Sequence, residues 1–324
     1  MKRTSVKKLT ILAPLLACIL AGGSGEGRAA DTVLGQEAAK TIPIADAHFH
    51  LMPFMDPAEL AQYMDRGGIR WAGGAGALGG PARNAAAAAA LGTRYIPATG
   101  QGQWLTLKDE GGTAALENAD SPAFQKRLAA MEADLRDNGA RVIGEIHVNT
   151  LNSAANQRVY HKIKGDAPTL KAMLDLAAKY KRPLNIHAEW DGDTAREVVK
   201  LAESNRDARL ILSHCGVKAT ASDIREVMEK NPNVMCDMSF RSPPQLKGIS
   251  IARTAFDSGR LSGDWKKLIE GFPDRFIVGI DDVQSWAEYE SVVNSIRTGL
   301  LANLAPEAAE KVAYRNAQAL LGLE

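Results

Sequence analysis

Cysteine is scarce in this chain. Of three, Cys18 falls in an N-terminal apolar run, which leaves only Cys215 and Cys236. Two cysteines do not make a disulfide framework, so a small stapled scaffold is excluded and both read as buried thiols. An excess of one charge is missing too: 39 basic against 38 acidic residues leave a net charge of +1. Binding to nucleic acid or an anionic membrane wants a basic patch or stripe, and this balance makes no case for one. There is no low-complexity tail, and 45% hydrophobic content suits a compact, enzyme-sized body. A third gap is local: no Asp or Glu occurs between Arg66 and Lys108. That stretch holds a G-x-G-x-x-G match, Gly74, Gly76 and Gly79, between an expected strand and an alanine-rich helix. A dinucleotide fingerprint also needs an acidic residue about 20 positions on to hold the ribose hydroxyls. Without one, the glycines read as a flexible loop.

Residues 1–30 read as a signal peptide rather than as part of the fold. Lys2, Arg3, Lys7 and Lys8 make a basic start, and Leu9 to Ala21 is an apolar run too short to span a bilayer. Small residues lead to Gly27-Arg28-Ala29-Ala30-Asp31, where cleavage can follow Ala29 or Ala30. Export to a periplasm or the outside is therefore expected, without stable membrane insertion after cleavage. Leu15-Leu16-Ala17-Cys18 resembles a bacterial lipobox, but the apolar run continues past Cys18, which argues against a lipid anchor.

Residues 31–324 are expected to form one barrel domain organised around Ile44-Ala-Asp46-Ala-His48-Phe-His50. Its alternation is that of a strand, with Asp46, His48 and His50 on one side and a break at Met52-Pro53. Two imidazoles spaced this way can grip one metal ion, since each offers a neutral ring nitrogen. Further strands are expected over residues 69–72, 93–98, 141–147, 184–188, 210–213, 234–238 and 275–280, with helices or long helical regions between. Residues 100–104 read as a loop, and the stretch from the seventh strand to the eighth as mainly helical. Each strand–loop–helix unit takes about 34 residues, which fits a (β/α)₈ barrel of roughly 250 residues. An open doubly wound sheet shares the local pattern. What favours the barrel is that ligand-type side chains end strands one, four, five, six and eight, and they converge only if the sheet closes. A closed barrel gathers them on its C-terminal face: His48 and His50, Glu145 with His147, His187, His214, then Asp281. Five of the chain's six histidines lie on or at the ends of expected strands.

This pattern resembles the amidohydrolase superfamily, in particular the amidohydrolase-related branch that includes aminocarboxymuconate-semialdehyde-decarboxylase-like enzymes. It runs from about Ile42 to Leu323 and includes the Asn316-Ala-x-x-Leu-Leu-Gly322 ending. The resemblance implies that His48, His50, His187 and Asp281 bind a divalent metal, usually zinc, and that His214 touches the water or substrate at the metal. Many binuclear relatives carry a bridging lysine on strand four. Here Glu145 stands there, either to bridge a second metal or to contact substrate, and a single ion is favoured. His147 has no assigned family role and reads as structural.

The chemistry also follows from the residue types. Three imidazoles and a carboxylate suit zinc with a position left open. Asp281 is the candidate general base and His214 the candidate oxyanion stabiliser. Asp46 is a candidate partner behind the ligands. Asp281 is preferred over Asp282 by alternation with Gly279 and Ile277. Glu189, Arg241 and Trp104 are weaker candidates for substrate contact, with Arg241 suited to a carboxylate. The expected activity is metal-dependent hydrolysis of an amide, ester or lactone. Non-oxidative decarboxylation of an unsaturated or aromatic acid is the alternative, and a non-catalytic exported binding barrel comes third. The expected partner is a small-molecule substrate. Whether copies associate as a homo-oligomer stays open.

Overall fold

The computed structural model describes residues 32–76, 81–153, 157–245 and 253–324. The expected signal peptide, the lipobox cysteine and Gly79 lie outside the described residues. Thr32–Glu324 form one compact unit. Among the described residues, no helix is long and apolar enough to cross a membrane.

Eight parallel strands form the barrel wall: β1 (Ile44–Phe49), β2 (Ile69–Gly74), β3 (Tyr95–Ile96 and Ala98–Gly100), β4 (Val142–Asn149), β5 (Leu184–Ala188), β6 (Leu210–Leu212), β7 (Val234–Asp237) and β8 (Phe276–Ile277). Pro97 interrupts β3, since proline has no amide hydrogen for the ladder. The residues before it pair with β2 and those after it with β4. Pairing then runs β4–β5–β6–β7–β8. Beyond β8, Val278 bridges Asp46 and Asp281 bridges Phe49, so the last strand meets the first and the sheet closes. An open sheet would leave both edges unpaired.

Two expectations fail locally. Residues 100–104 are not a loop: Gln101–Ala115 is a helix, interrupted at Gly112 where φ is 67°. Between β7 and β8 a 3₁₀ turn (Pro243–Gln245) and a short antiparallel hairpin (Phe256–Asp257 with Arg260–Leu261) precede the helix Gly263–Gly271. Apolar residues in that stretch fit either element locally, so pattern alone did not separate them.

The glycines after β1 have a packing role. At Gly74, φ is +85° and an added Cβ would run into the Ala47 carbonyl, so β1 and β2 approach as they do only because the side chain is missing. At the other end of the barrel, Ala45, Ala47, Trp71, Ile96, Val142, Ile211, Met235 and Ile277 form one buried cluster with Ala317 and Leu321 of the last helix. A cluster drawing on seven of the eight strands must lie inside the barrel. The C-terminal helix plugs it, and Trp71 Nε1 donates to the Glu324 carbonyl at 3.2 Å.

Candidate metal centre

Polar side chains on or just past β1, β4, β5, β6 and β8 reach the same buried space. β1 ends at Phe49, one residue short of His50, and both His48 and His50 are buried. His48 Nδ1 donates to Asp237 Oδ2 at 2.9 Å, and His50 Nδ1 donates to the Gly76 carbonyl at 3.1 Å. Both Nε2 atoms then face inward. The glycine segment thus orients a histidine.

Opposite them, Glu145 on β4 is ringed by imidazoles. Its carboxylate lies 3.0 Å from His187 Nδ1, 3.2 Å from His214 Nε2, 3.4 Å from both His50 Nε2 and His147 Nε2, and 3.6 Å from His48 Nε2. Asp281 Oδ1 stands 3.5 Å from His48 Nε2 and from His50 Nε2, and its Oδ2 is 3.6 Å from His214 Nε2. Three sets of groups have ligand atoms within 4.8 Å of one another: His48, His50 and Asp281; His48, Glu145 and His214; and Glu145, His147 and His187. His48 Nε2 is buried without a hydrogen-bond partner. A buried nitrogen in that state is costly unless something electropositive belongs beside it. The donor set, all imidazole and carboxylate, fits a divalent ion.

The charges agree. Burial opposes ionisation of Glu145, but His48 and hydrogen bonds from His147, His187 and His214 outweigh it and hold its pKa well below the ordinary range. Burial likewise opposes a charge on His48, yet Asp237, Glu145 and Asp281 push its pKa well above the ordinary value. Three carboxylates packed against imidazoles leave negative charge for a cation to neutralise.

The other sequence candidates separate. His147, set aside on sequence, belongs to the cluster; its carbonyl accepts from Trp104 Nε1 at 3.0 Å and from His161 Nε2 at 2.9 Å. Trp104 is therefore buried beneath the site and does not line it as a substrate contact. Arg241 is not poised for a substrate carboxylate either. It is fully buried and donates to the carbonyls of His214, Ala219, Arg253 and Cys215 at 2.8, 3.0, 3.1 and 2.8 Å. Those bonds hold a turn in which His214, Cys215, Gly216 and Val217 all have positive φ, and this turn aims His214. Glu189 is buried and bonded to the loop after β4, at Asn152 and Ser153. Asp46 Oδ1 accepts from the Ile280 amide at 2.8 Å, fixing the chain just before Asp281. Asp282 stays out of the cluster, its pKa pushed up to about 7 by burial and by the Asp281 carboxylate. Cys215 and Cys236 are buried free thiols.

Sequence reasoning missed Asp237. It ends β7, is fully buried, and accepts from His48 Nδ1, from the His214 amide at 3.0 Å and from the Ser239 hydroxyl. The available signal was an Asp closing the strand Val234-Met-Cys-Asp237.

A family model described as amidohydrolase matches residues 45–323. No curated protein matches the chain. Solved structures similar to it include an uncharacterised TIM-barrel protein from Bordetella bronchiseptica, 15% identical with a TM-score of 0.53, covering 82% of each chain. An amidohydrolase from Burkholderia multivorans with bound zinc is 15% identical with a TM-score of 0.50, over 87% of this chain and 100% of that one. Dihydroorotase from Campylobacter jejuni is 13% identical with a TM-score of 0.54, over 87% and 84%. The matched span takes in every barrel strand and the whole histidine–carboxylate cluster, and the chain belongs to the amidohydrolase family.

Proposed function

We propose that this protein is a metal-dependent hydrolase that cleaves an amide, ester or lactone of a small molecule. The observation that carries the reading is the buried convergence of five histidines, Glu145 and Asp281, with His48 Nε2 left unpartnered among them. His48, His50, His187 and Asp281 would hold the ion, with zinc the expected metal. Such an ion supplies Lewis acidity, polarising a carbonyl and bringing the pKa of water toward neutrality. Asp281, within 3.6 Å of three imidazole nitrogens, would take a proton from water and pass it to the leaving group. His214 presents Nε2 to the same space, where it would contact the water or the oxygen on which charge develops. One ion is the simplest filling. Glu145 belongs to the His48/His214 set and to the His147/His187 set, so a second ion bridged by Glu145 is the alternative that stoichiometry decides.

A decarboxylase of the aminocarboxymuconate-semialdehyde type would use the same ligands. It ranks second because Arg241, the residue suited to an acid substrate, lies on backbone carbonyls. The test is turnover of a panel of amides, esters, lactones and aromatic acids by zinc- or manganese-loaded protein and by chelator-stripped protein. Hydrolysis that disappears on stripping and returns with metal is the expected result. Carbon dioxide release, or hydrolysis indifferent to metal, would overturn it.

A further inference from the structure

His187 is held by a chain of bonds that reaches away from the cluster. Its Nδ1 faces Glu145 at 3.0 Å, while its Nε2 lies 2.9 Å from Ser153 Oγ. The Ser153 hydroxyl in turn donates to Glu189 Oε1 at 2.8 Å. Since that hydroxyl's one hydrogen goes to Glu189, its oxygen is left to accept, so once an ion takes the place of the hydrogen that Nδ1 offers Glu145, His187 carries its proton on Nε2 toward Ser153. The tautomer with a lone pair on Nδ1, the nitrogen aimed into the cluster, is the one the serine favours for ligating an ion.

We propose that Ser153 and Glu189 are positioning residues for the metal centre, a hydroxyl–carboxylate relay that sets the tautomer and ring orientation of His187 for ligation of the ion. This rests on the metal-centre reading above. Carboxylates commonly fix ligand histidines through the distal ring nitrogen, directly or through one intervening group. Glu189 is well secured for the task. It is 1% exposed and also accepts from the Asn152 amide at 2.6 Å, the Asn152 side chain at 2.8 Å and the Ser153 amide at 2.7 Å. The same device recurs independently on β6. His214 Nδ1 lies 2.8 Å from Ser239 Oγ, and the Ser239 hydroxyl donates to Asp237. Two histidines from adjacent strands are thus each backed by a serine whose own hydrogen is given to a buried carboxylate, and each is left with its other nitrogen facing the centre. A serine serving only the loop would have no reason to meet the imidazole.

The relay makes Ser153 matter for its hydroxyl and not only for its place in the loop. Zinc affinity is measured by chelator competition at one fixed pH on the full chain, and the His187 tautomer by ¹⁵N NMR of histidine-labelled, zinc-loaded protein. Ser153→Ala keeps the backbone bonds to Glu189 but removes the link, and zinc binding should weaken by about 10- to 100-fold. Ser153→Thr restores a hydroxyl and should recover most of that affinity. Asn152→Ala removes a side-chain bond to Glu189 while leaving the relay whole, and should bind zinc like the parent. The parent should show His187 protonated on Nε2. Equal zinc affinity in parent and Ser153→Ala, equal losses in Asn152→Ala and Ser153→Ala, or protonation on Nδ1 would overturn the relay while leaving the metal site standing. A parent protein that binds no zinc would instead overturn the reading beneath it.

Discussion

Replacing Arg241 with Met should be among the most damaging single changes available outside the histidine cluster. The guanidinium makes four hydrogen bonds to backbone carbonyls and lies 4.8 Å from the Trp265 ring centroid, with no exposed surface. A hydrogen bond from a charged donor is worth about 1.5–3 kcal/mol net, so four independent ones would total roughly 6–12 kcal/mol. They are not independent, because one rigid fork makes them all, and Met also relieves the cost of burying a charge. A net loss of about 3–5 kcal/mol is the reasonable expectation, against a total stability of order 5–15 kcal/mol. With a urea dependence of about 3 kcal/mol per molar, the unfolding midpoint should fall by about 1–1.7 M. Because two of the carbonyls belong to His214 and Cys215, the left-handed turn that aims His214 should loosen as well, so residual activity should drop more than the folded fraction does. Equilibrium unfolding alongside activity on the folded protein separates the two effects. Lys should not rescue, since a single ammonium cannot reach four carbonyls spread around a planar fork. A loss below about 1 kcal/mol, or full rescue by Lys, would refute the staple.

Three other changes probe different parts of the account. Asp237→Asn keeps the shape behind His48 but removes the charge, and metal affinity should fall about 10- to 100-fold in a chelator competition. Gly74→Ala asks a residue at φ +85° to carry a Cβ against the Ala47 carbonyl, and should cost about 2–3 kcal/mol or prevent folding, read by thermal unfolding. Asp191 caps the helix Gly192–Ser204 through the Thr194 amide at 2.9 Å and pairs with Lys162 at 3.0 Å, so Asp191→Ala should cost about 1–2 kcal/mol near neutral pH. Burial would raise the Asp191 pKa, but the Thr194 and Lys162 bonds bring it down to about 2, below its unfolded value of about 3.9. Its contribution is therefore present above about pH 4 and lost as pH falls toward 2, and the gap between parent and variant in urea unfolding should close over that window.

Much of this was legible in the chain because a parallel barrel repeats a simple unit. Strands buried on both faces read as short apolar runs, and the polar residue that closes each run is conspicuous. His48, His187 and Asp281 were named as candidate ligands that way. What stayed hidden depends on contacts between residues far apart in sequence. Arg241 reads as a loop arginine until the turn of residues 214–217 is folded around it. Trp104 reads as a pocket aromatic until Gln101–Ala115 becomes a helix and carries it under His147. Glu145 reads on sequence as a possible bridge or substrate contact and His147 as structural, and only when β1, β5 and β6 are brought around them do both lie within the cluster. Ser153 carried no signal at all, since a serine in a loop is ordinary until an imidazole lies 2.9 Å away.

The most direct measurement is the metal content of the purified protein by elemental analysis, beside His187→Ala and Asp281→Ala. The account expects one or two equivalents of zinc or another divalent ion in the parent, clearly reduced in both variants while their circular dichroism stays native. A folded parent that holds no divalent ion, and takes up none when zinc or manganese is added, would contradict it.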